Sequence, residues 1–187
     1  MNKTLYSKIA VFFIIILVII TTITGGMFYF FLGNFVSDDK ERALNITGEK
    51  VNLLLKNYIA NVNNPLIPSE LMPYLLSEFI RNLNSESKYS ESVIWIALES
   101  GEIIVLVNEE DIPESVKNKL KDVTGSYRLT DERQYKKVMQ DRQYVKEIGD
   151  FYGLFKDTKV SWLTIEKPFV VNNNTKGAIY LSIRVPE

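Results

Sequence analysis

The chain has 187 residues, 46% of them hydrophobic and 24% charged, with 22 basic against 23 acidic side chains for a net charge of -1. Histidine and cysteine are both absent, which excludes Ser-His-Asp and Cys-His nucleophile sets, Cys/His zinc sites, haem ligation through either residue and any disulfide. The balanced charge carries no polyanion-binding signature, so nucleic acid is not an expected partner, and no metal or cofactor is expected either.

Residues 9–36 contain no charged side chain over 28 positions. As a helix rising about 1.5 Å per residue this stretch reaches roughly 42 Å, more than a hydrocarbon core of roughly 30 Å requires. It is too long for a signal-peptide core and lacks a small-residue cleavage site, and Tyr29, Phe30 and Phe31 stand where an interfacial aromatic belt would fall. It is read as a transmembrane helix. Lys3 and Lys8 precede it, and mixed charges from Asp38 to Arg42 follow, so the N-terminus is expected in the cytoplasm and residues 37–187 outside. That outer portion holds 20 basic and 23 acidic residues and suffices for one domain with one core.

Residues 37–62 read as a long membrane-proximal helix, with Gly48 as a weak point. Leu44, Val51 and Tyr58 are seven-spaced on it, so this stripe is either a seam for a second copy of the helix or the face that packs on the domain's own core. After the breakers Asn63, Asn64, Pro65 and Pro68, residues 69–83 form a second striped helix, which the polar run 84–91 ends. Residues 92–98 and 103–107 then read as a hairpin with Gly101 at positive φ. Both strands are apolar on both faces, so each face needs a cover: helices on one side, a loop or cavity on the other.

A short helix is expected over 111–121, a helical segment over 131–140 and a third strand over 144–148. Strands over 161–171 and 177–185 follow, joined by a turn at Asn172, Asn173 and Asn174, with Pro168 implying an edge position or a bulge. The pattern is α+β, built on a five-stranded antiparallel sheet flanked by helices.

This order of elements, together with VIWIALESGEIIVL and with the GLF, LTIEKPF and KGAIYLSI stretches between Gly153 and Ile183, resembles the extracytoplasmic PAS-like (Cache-type) sensor region of bacterial two-component sensor histidine kinases. The resemblance implies a homodimeric receptor whose sheet binds a small molecule or ion against the middle segment. It also implies a second transmembrane helix beyond residue 187, then a linker and a kinase core. The chain itself has no phospho-acceptor histidine and no ATP-binding region, so no enzyme activity is expected of it. Expected boundaries are a cytoplasmic tail at 1–8, the transmembrane helix at 9–36 and the sensor domain at 37–187, with its sheet within 92–185. Chemoreceptors and cyclic-dinucleotide enzymes use similar outer domains, and an extracytoplasmic protein–protein interaction module is the reading from a different class.

Between Tyr127 and Lys146 the basic residues Arg128, Arg133, Lys136, Lys137, Arg142 and Lys146 exceed the acidic ones by three. Arg128 and Arg133 could fork onto an anionic ligand with Tyr127, Tyr144 and Tyr152 as walls, or the run could be a solvated face with pairs such as Glu132 with Lys136. Lys167 could line the pocket or point to solvent. Trp95 and Trp162 are expected in the core. Glu109, Glu110 and Asp111 alternate faces as a polar turn and form no cation site.

Overall fold

The computed structural model describes residues 3–121, 124–141, 144–171 and 174–185. Arg142, Asn172 and Asn173 lie outside the described residues, as do the side chains of Tyr29 and Phe30. The chain divides into two compact units, Met1–Asp39 and Lys40–Glu187. Helix α1 (Lys3–Val62) supplies the described part of the first unit and opens the second.

Within the first unit, Ala10–Phe28 is long and apolar enough to cross a membrane, with a mean hydropathy of 2.6 and none of its residues buried. The hydroxyls of Thr21, Thr22 and Thr24 donate to the carbonyls of Leu17, Val18 and Ile20 at 2.7 to 2.8 Å. These bonds leave no hydroxyl seeking water inside the apolar run.

The second unit continues from α1 to α2 (Met72–Ser90), the hairpin β1 (Val93–Leu98) and β2 (Ile103–Val107), α3 (Glu114–Leu120), α4 (Arg133–Asp141), β3 (Val145–Gly149), β4 (Ser161–Val171) and β5 (Asn174–Val185). The strands form one antiparallel sheet in the order β2-β1-β5-β4-β3. That five-stranded α+β arrangement is the expected PAS-like sensor fold. Gly101 closes the β1–β2 turn at φ +82°, where a Cβ would meet the Leu129 carbonyl oxygen at 3.1 Å.

Because side chains alternate, each central strand feeds two cores. Ile94, Ile96, Leu163, Ile165, Ile179 and Leu181 pack with Leu44, Val51 and Leu55 of α1 and Phe79 and Leu83 of α2. Trp95, Trp162 and Tyr180 enter the opposite core with Val116, Leu120, Val138, Phe151 and Phe155. Helices therefore cover both faces, and the segment 150–155 shares the second.

The structure bears on three expectations. The second helix does not stop at residue 83 but runs to Ser90, because two serines in the polar run are buried and bonded: the Ser87 hydroxyl donates to the Ser92 carbonyl, and that of Ser90 to Glu86 at 2.8 Å. Glu91, at φ +51°, ends it. The dimer stripe is the second. Leu44 and Val51 are fully buried against their own sheet, and the half-buried Tyr58 stacks on Phe79 with ring centroids 4.7 Å apart, so within the chain the stripe packs on the domain's own core, one of the two faces expected for it. Finally, the short helix begins at Glu114 after a 3-10 turn at Glu109–Asp111, with Pro113 as its N-cap. Pro168 sits as its sequence requires: β4 is internal, but its pairing with β3 ends at Glu166, so Pro168 lies on an open edge just before the bulge at Phe169 and Val170.

If Leu44 belongs to the domain's own core, Leu44→Ala lowers unfolding stability by about 2–5 kcal/mol. The loss, read by urea unfolding on Trp95 and Trp162 fluorescence, is independent of protein concentration. A loss that grows on dilution would return the residue to a seam between copies.

Candidate functional site

The strand registers set Leu106, Trp95, Tyr180, Glu166 and Val145 side by side across all five strands. The middle three are fully buried, on the face covered by α3, α4 and the 150–155 segment. Among the described residues the Trp95 Nε1, the Tyr180 hydroxyl and both Glu166 oxygens have no hydrogen-bond partner. The next two rows differ: Thr164 bonds Ser182 at 2.8 Å, and one row further the Trp162 Nε1 donates to Thr158 Oγ1 at 3.2 Å. A buried polar atom left without a partner costs about 1–3 kcal/mol, so this row carries an unmet polar cost within the core.

Burial, reinforced by the charge of Glu147 and opposed by Lys137, pushes the Glu166 carboxyl up to about 8. At neutral pH this group is therefore held mostly protonated. Burial also drives the Tyr180 hydroxyl well above its ordinary value.

The row is walled by a strained turn. Phe151, Tyr152 and Gly153 take φ values of +46°, +54° and +85° in succession, two of them on residues that rarely adopt the left-handed region. This turn lays the Phe151 ring 6.4 Å from Trp95 and edge-on to Tyr180 at 6.1 Å. The next side chain, Tyr152, donates to Glu147 at 2.6 Å, and burial with that bond pushes its hydroxyl up to about 12.

On the outer side of the turn lies a cleft of about 660 Å³, lined among others by Lys119, Asp131, Arg133, Gln134, Tyr152 and Leu154. Gln134 is buried and ties its two walls together, accepting from the Asp131 amide at 3.2 Å and donating to the Phe151 carbonyl at 3.3 Å. Lys119 donates to the Gly153 carbonyl at 2.9 Å. The Arg133 fork rests on Asp131, with Nη2 at 2.6 Å and Nε at 3.0 Å, and holds that carboxyl down at about 2. Its guanidinium also sits 5.3 Å above the Tyr152 ring.

The six ligand-site candidates separate into three places. Arg133 and Tyr152 meet at the cleft. Tyr127 donates to Glu109 at 2.5 Å and Arg128 to the Ser100 carbonyl at 2.8 Å, beside the β1–β2 turn. Tyr144 and Lys167 face α1, bonding Glu41 at 2.9 Å and Glu49 at 2.6 Å. Lys136 pairs with Glu132 one helical turn away, as a solvated face would. Glu166, Tyr180 and Gln134 were not among the candidates. The period of two from Trp162 through Thr164 places Glu166 on the aromatic face, which was the readable signal.

A scan of protein-family models gives no match, and neither does a search of curated proteins. Similar solved structures include the sensor domain of the Vibrio cholerae histidine kinase DctB, at TM-score 0.48 and 10% identity over 81% of this chain and 50% of that one. The GAF domain of the nutrient sensor CodY from Clostridium difficile aligns at TM-score 0.41 and 12% identity over 65% of this chain and 86% of that one. The ligand-binding domain of the Campylobacter jejuni chemoreceptor Tlp3, solved with L-valine, aligns at TM-score 0.37 and 14% identity. Here 78% of this chain matches 62% of that domain. The chain thus spans half to two-thirds of the DctB and Tlp3 domains, and the fold assignment rests on the strand order and registers above.

Glu166 makes stability fall as pH rises. Its folded value of about 8 lies above its ordinary 4.5, so the folded state binds the extra proton and its advantage fades between those limits. Urea midpoints measured from pH 5 to pH 9 are expected to decline across that window, and Glu166→Gln to remove most of the decline. An unchanged slope in the variant would show that another group carries it.

Proposed function

We propose that this chain is the ligand-sensing part of a membrane-anchored receptor, with residues 1–8 cytoplasmic, 9–36 spanning the bilayer and 37–187 forming an extracytoplasmic PAS-like sensor domain. The observation that carries the reading is the unpartnered row of Trp95, Tyr180 and Glu166 behind the cleft wall. The sequence resemblance to sensor histidine kinases and the apolar Ala10–Phe28 helix support it.

The chemistry of the row selects the ligand class. Glu166 can accept from a donor group while Trp95 and Tyr180 donate to an acceptor, which suits a small molecule carrying an amine beside a hydroxyl or carbonyl. The anionic alternative has less support, because Arg128, Arg133, Lys137, Lys146 and Lys167 each already contact an oxygen of the chain. Binding would signal by its difference in affinity between two placements of α1 against the sheet, in a homodimer feeding a histidine kinase output. A chemoreceptor or cyclic-dinucleotide output would use the same outer mechanism.

A second reading rests on a separate observation. Leu66, Leu71 and Tyr74 leave 87%, 49% and 63% of their surface exposed around the start of α2, as an interaction module would.

The test is a thermal-shift screen of the full chain in lipid nanodiscs against amines, amino acids, carboxylates, phosphates, sugars and divalent ions. A ligand at about a hundred times its Kd adds roughly 2.7 kcal/mol. An amine hit is expected, lost in Glu166→Gln and in Tyr180→Phe and retained in Arg133→Ala. An anion hit lost in Arg133→Ala would overturn the ligand class. Silence from a folded protein would favour the interaction module.

A further inference from the structure

On β4, Lys167 directly follows Glu166 and so projects from the opposite face, into the core shared with α1. It is buried, with 7% of its surface exposed, an unusual place for an ammonium unless its contacts are specific. Besides lying 5.9 Å from the Tyr144 ring, it makes two hydrogen bonds among the described residues, both to one helix. The Nζ donates to the Asn45 carbonyl at 3.2 Å and to the Glu49 carboxylate at 2.6 Å.

The stem crosses α1 at Gly48. A Cβ on that glycine would stand 2.9 Å from Lys167 Cδ, 3.0 Å from Cε and 3.2 Å from Leu181 Cδ1. Gly48, costly in a helix by about 1 kcal/mol relative to alanine, is thus the notch through which the lysine reaches both acceptors. Two turns earlier on α1, Glu41 receives Lys146 and, at 2.9 Å, the Tyr144 hydroxyl, both carried by the adjoining β3 region. The Lys146 bond is the main cause holding the Glu41 carboxyl below its ordinary value.

Sliding a helix along a purely apolar face exchanges one set of contacts for a similar set. Here any axial shift of α1 takes Asn45 and Glu49 off a largely buried ammonium, and drives the backbone of a neighbouring turn into the lysine stem. We propose that Lys167, seated in the Gly48 notch, is an axial latch that holds the outer part of α1 in one register against the sheet. Lys146 and Tyr144 on Glu41 form its second rung. The inference concerns the holding of α1 and needs no ligand, so a failed ligand screen leaves it standing.

The chain contains no cysteine, so paired labels can be placed cleanly. Spin labels at Lys56→Cys on α1 and Glu99→Cys on the β1–β2 turn, both exposed, report the α1-to-sheet distance by double electron–electron resonance in nanodiscs. Lys167→Met keeps the stem and removes only the ammonium; its distance distribution is expected to broaden or split, and Glu49→Gln, at an exposed carboxylate, to broaden less. Lys50→Met, which removes the exposed pair with Glu86 between α1 and α2, is expected to leave it unchanged. A folded Lys167→Met with a lowered unfolding midpoint but the wild-type distribution would reduce the lysine to a stabilising contact and overturn the latch. Should Lys167→Met not fold, a wild-type distribution in Glu49→Gln overturns it equally.

Discussion

Strands β1, β5 and β4 carry large apolar side chains on both faces, and burying such area contributes about 25 cal/mol per Å² only if both faces are covered. That constraint organises the second unit. One cover is α1 with α2, joined to the sheet before β1 begins; the other is built from the chain between β2 and β4, which must leave the sheet and come back over it. The two covers differ in kind. Helices of 19 residues or more pack on the first face, whereas α3 and α4 have 7 and 9 residues and need the 150–155 turn to complete the second. The more irregular cover is the one with the cleft.

Adjacent polar residues of β4 have different surroundings. On the α1 side, Lys167 is bonded within the chain. On the other side, Glu166 and its neighbours in the row are buried without such bonds among the described residues. One strand thus presents a bonded ammonium to the long-helix cover and an unbonded carboxyl to the cover built of short elements. An unsatisfied group is tolerable when the fold's remaining interactions offset a few kcal/mol, and it converts that cost into affinity once a partner arrives.

Much of the architecture was legible because hydrophobic period is a local property. The apolar runs 92–98 and 103–107 read as paired strands, the positive φ at Gly101 followed from the short turn between them, and the alternation in 177–185 read as a further strand. What period does not show is which partner a face meets: the Leu44, Val51, Tyr58 stripe was equally suited to a second helix and to the sheet. The length of α2 was hidden for another reason, since serines at 87 and 90 read as solvent-facing until their hydroxyls are seen to bond inside the fold. In the site, counting cations drew attention to Arg128 and Arg133, whose partners lie close by at Ser100 and Asp131. Glu166 escaped notice because a single carboxylate beside a lysine looks like an ordinary surface pair, although strand alternation already sets the two on opposite faces.

Gln134 gives the cleft a polarity of its own. Its carbonyl oxygen takes the Asp131 amide while its amino group gives to the Phe151 carbonyl, so the side chain is read in one direction only. Turning the amide over would set donor against donor and acceptor against acceptor, breaking both bonds together. A carboxylate of the same length could keep the first bond and would repel the second partner; a methionine would keep neither. The side chain is therefore fixed in orientation at both ends, and its second bond ends on the carbonyl of the residue whose ring covers the buried row.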